Sequence, residues 1–475
     1  MPSLKELFKK ATGSNADTEV RLTVSGSNRK YFRLENKDIS LIGVVGTSAE
    51  ENYAFIEMSK HFRSKGLPVP EFIIKSDDNL MYLQEDLGNT VLFDYLRKGR
   101  LTRVFSSDEK ELLHKTMHML AKIQMKGAED FDFSICYPQP EFNKRSVLWD
   151  FNYFKYCFLK ATGLEFQENR LEDDFDRFAD KLLEAPIDCF MYRDFQSRNV
   201  MIKDGNPYFI DYQGGRRGPV YYDVASFLWQ AKAQYGADLR GELLETYIRS
   251  LSEHKEVNIA EFRVMLDHFV LFRLLQVLGA YGFRGYFEKK PHFLQSIPYA
   301  LENLREVMDH CNFNQFPYLM KVLKEMAALK QFQEVNLDKP LVVTIYSFSY
   351  KKGVPNDDSG NGGGFVFDCR AVNNPGKYER FQSLNGLDAP VIQFLEEDGE
   401  ILKLLDNAYS MVDTSVKRYM DRKFTNLMVS FGCTGGQHRS VYSAQKMAEH
   451  ISRKFGIEVN LVHREQNLEQ RFERR

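Results

Sequence analysis

"YRDFQSRNVMIKDGNPYFIDYQ", residues 192 to 213, decides how the chain is read. Asp194 and Asn199 are spaced D-x-x-x-x-N, and Asp211 follows twelve residues after Asn199, closing the apolar run "YFID". The "KDGNP" turn between them lets two short strands bring Asn199 and Asp211 together. Taken singly, each residue reads as a turn-former or a strand cap. In this order, on strand, loop and strand, they form a set with a chemical use. One carboxylate can position a hydroxyl, while an amide and a second carboxylate hold Mg²⁺ on nucleotide phosphates, as phosphoryl transfer requires.

The flanks suggest a fold built to hold that loop. Residues 1–90 read as strands with one helix. "TEVRLTVSGSNRKYFRLEN" has a hairpin pattern, "SLIGVVG" is a strand, and "VPEFIIKS" and "LMYLQEDLG" are a strand pair. Between them "SAEENYAFIEMSKHFRSKG" reads as a helix opened by a Ser48–Glu51 capping box and closed by Gly66. Over 91–328 helical periods dominate, interrupted by the opening stretch. A small β-rich lobe followed by a mostly helical one implies a bilobal α+β domain with a cleft between. Polar residues 329–340, ending in Pro340, read as a linker. Residues 341–475 then alternate strands ("LVVTIYSF", "GFVFDCR", "TNLMVSF", "EVNLVH") with helical stretches, predicting a separate α/β domain. "NDDSGNGGG" (356–364) reads as a loop.

Bulk properties narrow the classes. A chain of 475 residues exceeds one ordinary core. A net charge of −2 makes no global demand for nucleic acid or membrane. Cysteines 136, 157, 189, 311, 369 and 433 show no C-x-x-C pair, which fits a reducing compartment. "MPSLKELFKKATG" lacks a signal-peptide core, and no run of about 18 apolar residues is expected to span a membrane. A cytoplasmic protein is the expectation.

The 192–213 stretch resembles the aminoglycoside phosphotransferase and choline kinase superfamily, whose fold is protein-kinase-like. Within it the likeness is nearest to bacterial kinases that phosphorylate N-acetylmuramate and N-acetylglucosamine at the anomeric hydroxyl. "SGSNRKYFRL" (25–34), "LPVPEFI" (67–73), "YLQEDLG" (82–88), "FIDYQGGRRGPVYYDVASFL" (209–228) and "RLLQVLGAYGFRG" (273–285) carry it further. The resemblance implies ATP and Mg²⁺ as cofactors, Asp194 as catalytic base, and Asn199 and Asp211 as metal ligands. Ser27, Asn28 and Arg29 would turn over the ATP phosphates, and Glu85 would lie at the adenine-side hinge. Asp223 would brace the catalytic loop. Two positions depart from the family. Tyr192 replaces a histidine, and "LIGVVG" lacks the phosphate-pairing lysine, a part left to Arg29, Lys30 or Arg33. Arg216 and Arg217 in "GGRRGP" are read as substrate-binding, able to pair with the lactyl carboxylate of muramic acid and to repel an aminoglycoside.

In the last domain a strand runs into "GCTGGQHRS" (432–440) and a helix. A glycine turn ending at a helix N-terminus presents free N–H groups and partial positive charge, hence an anion site. Cys433, Thr434, Gly435, Gly436, His438, Arg439 and Ser440 are its candidates. Cys433, Gly436 and Arg439 also match the C-x-x-G-x-x-R spacing of cysteine phosphatases; that rival needs an accessible Cys433 and an acid such as Asp368 or Asp388. "YSFSYKKGVP" (346–355), "FVFDCRAVNNP" (365–375), "LNGLDAPV" (384–391) and "LVHRE" (461–465) complete a resemblance to the C-terminal domain of RapZ-type proteins. It implies binding of an amino-sugar phosphate, glucosamine 6-phosphate, and RNA as a possible partner. The tail "REQNLEQRFERR" is expected to be solvated. A catalytically weak, nucleotide-binding regulatory protein is the alternative to an amino-sugar kinase.

Overall fold

The computed structural model describes residues 3–22, 29–333, 341–357, 363–421 and 424–474. Two compact units divide near residue 335. Ser27 and Asn28, residues 334–340 and most of the glycine-rich 356–364 stretch lie outside the described residues.

The first unit opens with an antiparallel sheet of β1 (Thr18–Leu22), β2 (Lys30–Glu35), β3 (Ser40–Val45), β4 (Phe72–Lys75) and β5 (Met81–Glu85), in the order β1-β2-β3-β5-β4. The helix Ala49–Ser64 starts where Ser48 Oγ accepts the Glu51 N–H at 3.1 Å. The reciprocal half of the expected capping box is not made, because the Glu51 carboxylate turns to Arg29 instead. The helix buries Phe55 between Tyr82 and Tyr212, with ring centroids 5.1 and 4.9 Å away. Tyr212 immediately follows Asp211, so this stack seats the small lobe on the strand pair that carries the catalytic loop. Ser59 Oγ and the Tyr212 hydroxyl, 2.6 Å apart, hydrogen-bond in the same seam.

The large lobe is helical around Ile259–Gly282, whose inward residues Phe262, Leu266, Phe269–Phe272, Leu274, Leu275 and Leu278 are buried. With its continuation to Phe287, this helix is long and apolar enough to cross a membrane by length and composition. Asp267, His268, Arg273 and Gln276 interrupt it, so it is not an unbroken apolar run. Most of its apolar window is buried against neighbouring elements, which accounts for the composition. Two short ribbons interrupt the helices: β6 (Cys189–Met191) pairs with β9 (Arg216–Gly218), and β7 (Val200–Lys203) pairs with β8 (Asn206–Phe209). Past Ala327 a short helix, Lys330–Gln333, occupies the start of the expected linker.

The second unit is a sheet of β10 (Val342–Ser349), β11 (Phe365–Asp368), β12 (Asn426–Cys433), β13 (Glu458–His463) and β14 (Leu468–Phe472), ordered β11-β12-β10-β13-β14. The first four strands run parallel, and β14 is antiparallel to β13. The tail expected to be solvated therefore supplies an edge strand. The long helical stretch near 388–420 is two helices, Ala389–Asp398 and Glu400–Asp421, broken at Gly399, where φ is +77°. The helix Arg439–Phe455 packs on β10, β12 and β13 through Ala444, Met447, Ala448 and Ile451.

Candidate active site and anion loop

The loop expected to be catalytic lies between β6 and β7 and is fixed from below by Asp223. Asp223 is fully buried and accepts the main-chain N–H groups of Tyr192 and Arg193, each at 2.7 Å, and the Gln124 amide at 3.0 Å. Burial pushes its carboxyl up to about 7, while those three donors pull the other way by favouring the carboxylate. Tyr192, in place of the family histidine, is also buried, and its hydroxyl bonds to the Ile210 carbonyl. It thereby ties the loop to the strand end bearing Asp211. Arg193 and Asp211 both hold left-handed backbone conformations, with φ of 77° and 71°. Such values cost energy in non-glycine residues and concentrate where structure holds a functional geometry.

On that support Asp194, Asn199 and Asp211 converge. Asn199 Nδ2 donates to the Asp194 carbonyl at 2.8 Å and lies 3.3 Å from Asp211 Oδ2. This spends the nitrogen and leaves the Asn199 amide oxygen available. Asp211 Oδ1 accepts from Gln213 at 2.8 Å. Burial and then the Asp194 charge raise the Asp211 carboxyl; Gln213 and Arg29 oppose them. The Asp194 side chain is 58% exposed. An amide oxygen and mutually repelling carboxylates fit a hard divalent cation. No group of three His, Cys, Asp or Glu residues able to hold a metal exists among the described residues. Asn199 and Asp211 nevertheless present hard oxygen donors side by side, the ligand type that Mg²⁺ prefers.

The three cations that sequence reading offered in place of the missing lysine differ in their surroundings. Arg29, at the start of β2, is buried and its Nη2 lies 3.1 Å from Glu51 Oε1 on the Ala49–Ser64 helix. Its charge acts on Asp211. Arg33 is committed elsewhere, bidentate to Asp86 at 2.6 and 2.9 Å, and Lys30 is exposed. Glu51 is the residue that sequence reading missed. Its capping position explained it too well, and only its 22-residue separation from a conspicuous arginine hinted at more. Glu85 ends β5, where its carboxylate takes Lys203 Nζ at 2.6 Å and the Glu71 N–H at 3.2 Å.

Arg216 and Arg217 do not act as a pair. They lie in β9, where successive side chains point to opposite faces. Arg216 is buried near Arg193 and Asp150, whereas Arg217 is exposed and lies over the Phe133 ring at 4.7 Å. The expected two-arginine clamp on a single carboxylate is thus corrected. Gly215 fixes the geometry, because a Cβ there would meet Phe190 at 2.1 Å.

In the second unit the turn 433–438 lies at the C-terminal end of β12, beside the loops that follow β10, β11 and β13. Two expected anion ligands point elsewhere. His438 is buried with Nε2 2.9 Å from the Phe381 carbonyl. Arg439 is buried, and Nη1 donates to the carbonyls of Arg370 and Val372 at 3.0 and 2.7 Å. Loop carbonyls converging on this helix start claim both side chains, so neither lines an open rim. Thr434 and Gly435 are exposed, and His438 provides no side-chain cap, leaving first-turn N–H groups unspent. Cys433 is 3% exposed; its sulfur accepts the Gly436 N–H at 3.2 Å and lies 3.1 Å from Ser440 Oγ. The acids that a phosphatase would need are occupied: Asp368 pairs with Arg370, and Asp388 accepts the Asn385 N–H. Arg370, Lys352 and Arg464 surround the turn, the last two bonded to Glu465.

Residues 20–258 match the model of the phosphotransferase enzyme family, and residues 341–467 match that of the RapZ C-terminal domain. A nucleotide-binding protein of Xylella fastidiosa is 35% identical over 164 residues, 34% of this chain and 52% of that protein. One of Xanthomonas oryzae pv. oryzae is 31% identical over 161 residues, 34% and 53% respectively. The chain thus spans about half the length of the curated relatives it matches. Among solved structures, a choline kinase of Cryptosporidium parvum superposes with a TM-score of 0.45 at 12% identity, over 65% of this chain and 93% of that one. An amicoumacin kinase in complex with AMP-PNP, Ca²⁺ and Ami gives 0.45 at 10%, over 69% and 93%.

Proposed function

We propose, from the premise that the chain belongs to the phosphotransferase enzyme family, that it uses ATP and Mg²⁺ to phosphorylate a cell-wall amino sugar. The observation that carries this reading is the convergence of Asp194, Asn199 and Asp211, joined through one amide and faced by the Arg29–Glu51 pair. In it Asp194 receives the proton of the acceptor hydroxyl, and Asn199 and Asp211 hold the metal. Bound metal supplies charge neutralisation at the phosphates and fixes their geometry. Arg29, steadied by Glu51, takes the part of the absent lysine, and Glu85 lies at the adenine-side hinge. The acceptor is N-acetylmuramate or N-acetylglucosamine, at the anomeric hydroxyl. Arginines beside Asp194 support an acceptor that is not a polycation.

The second unit binds an amino-sugar phosphate, glucosamine 6-phosphate, through the turn 433–440. Main-chain N–H groups are the donors there, and Cys433 does no chemistry. Basic side chains around the turn also suit an RNA partner. A regulatory nucleotide-binding protein is the second reading, favoured by the absence of lysine from β3 and by the similarity to nucleotide-binding proteins of Xylella and Xanthomonas. One screen separates the two. Purified protein with ATP and Mg²⁺ is offered N-acetylmuramate, N-acetylglucosamine, glucosamine and kanamycin, and the product position is read by NMR. Transfer to an N-acetylated amino sugar is expected. Transfer to kanamycin alone, or to none, rejects the reading.

A further inference from the structure

Arg216 is 2% exposed, yet its charge has no counter-ion of its own. Nε and Nη2 reach only the Gly214 carbonyl, at 3.4 and 3.3 Å, which is long for a charged donor. Nη1 is buried with no hydrogen-bond partner. The neighbouring carboxylates are engaged by other residues. Arg193 Nη2 lies 3.0 and 3.3 Å from the oxygens of Asp150, and Arg273 Nη2 lies 3.8 Å from Asp194 Oδ1. Arg193, Arg273 and Arg216 all act on Asp150, so three guanidinium groups share Asp150 and Asp194. Burial, and then Arg193, lower the Arg216 guanidinium to about 10, which still leaves it charged at neutral pH.

A buried cation with an unused donor costs the fold stability, and an apolar side chain of similar volume would remove that cost. Its retention beside the catalytic loop needs a reason outside the ligand-free fold. The Cys136 thiol feels the Arg216 charge and also forms part of the wall of a cavity of about 500 Å³, together with Tyr53, Asn79, Ser134 and Tyr137. Tyr53 and Tyr137 are each more than two-fifths exposed, offering faces to a sugar ring. Glu50 is the one carboxylate in that wall.

We propose that Arg216 is a specificity-determining residue that binds a small anionic group, a carboxylate in the first instance, on the acceptor alcohol, with the acceptor body in the cavity bounded by Tyr53, Cys136 and Tyr137. This rests on the phosphotransfer reading of the Asp194 site. Arg193 and Arg273, already engaged by Asp150 and by Asp194, Ser226 and Gln276, shape the field around it. Arg217, on the opposite face of β9, takes no part.

The test uses two probes that differ only in charge, N-acetylmuramate and its methyl ester, with full-length protein. In the wild type, kcat/KM for the acid should exceed that for the ester by about tenfold or more, the scale of one hydrogen bond to a charged group. Arg216→Met should erase that preference through KM for the acid, leaving KM for ATP unchanged, and Arg216→Lys should restore part of it. A second readout is the Tm of the ligand-free protein, which Arg216→Met should leave equal or higher. An ester as good as the acid in the wild type overturns the proposal, as does a clear fall in Tm with the preference intact. If the wild type phosphorylates neither probe, the amino-sugar reading fails by itself. Tm then decides for Arg216: a rise supports the unpaired cation as a ligand group, and a fall makes it structural.

Discussion

At the scale of single residues, the proposed function assigns one group to the acceptor and others to the nucleotide, and the site holds them in different surroundings. Asp194 is exposed and its carbonyl anchors Asn199, whereas Asp211 is recessed among Asn199, Gln213 and the Arg29 charge. Asp194→Asn should therefore lower kcat by about 10²–10⁴-fold, the usual contribution of a general base. Binding of Mg·ATP, followed by calorimetry, should remain near wild type. Asp211→Asn should weaken Mg·ATP binding and turnover together, because it removes a ligand charge from the metal. Wild-type kcat in Asp194→Asn would remove the catalytic assignment. In the second unit, Arg439→Ala strands two loop carbonyls that its guanidinium now satisfies. The expected loss is about 1–3 kcal/mol of stability, read by denaturant unfolding. A loss of glucosamine 6-phosphate affinity with unchanged stability would return Arg439 to the rim. The contrast shows what sequence can carry at this scale. The 192–213 spacing confines the active-site trio to one loop and one hairpin. The C-x-x-G-x-x-R spacing of 433–439 marks a turn, but the direction of its arginine depends on carbonyls sixty-odd residues away.

At the scale of elements, the Ala49–Ser64 helix is held to the sheet by one ion pair as well as by its apolar face. Glu51 is 31% exposed at its side chain and its partner Arg29 is 3% exposed, so breaking the pair leaves a buried charge behind. Glu51→Gln keeps the main-chain N–H that Ser48 caps and removes only the charge. It should cost about 1–3 kcal/mol of stability and lower kcat, since Arg29 is no longer fixed opposite Asp211. Arg29→Met in the Glu51→Gln background should cost less than the sum of the two single changes, which a double-mutant cycle measures. Strict additivity would show that the pair carries nothing jointly. Element identities were largely legible in the sequence where one face is buried: β3, β10 and β12 are apolar runs. The edge strand β14 was not, because both faces of "LEQRF" are largely exposed and its alternation is masked by charge. The three-residue strand β9 is too short to show a period at all, which is why Arg216 and Arg217 read as neighbours on one surface.

At the scale of the whole molecule, the two units carry different ionisation debts, and pH can tell them apart. In the second unit His463 lies in β13, 2% exposed, with Nδ1 2.9 Å from Ser347 Oγ and Nε2 3.4 Å from the Gln445 amide oxygen. Both neighbours are neutral, so nothing compensates a charged imidazole, and burial lowers it from 6.5 to about 4. Because the folded value lies below the unfolded one, the unfolded chain binds the extra proton between them. The stabilising contribution is fully present above pH 6.5 and is lost as pH falls from 6.5 towards 4, up to about 3 kcal/mol. Amide exchange in β10 and β13 of the full chain should accelerate across that window. His463→Gln, which does not titrate, should flatten the response in those strands and leave that of β2, β3 and β5 unchanged. Equal acid sensitivity of β10 and β13 in wild type and variant would place the acid response on other groups, because the neutral pair Ser347 and Gln445 would then be holding a group that never titrates in that range.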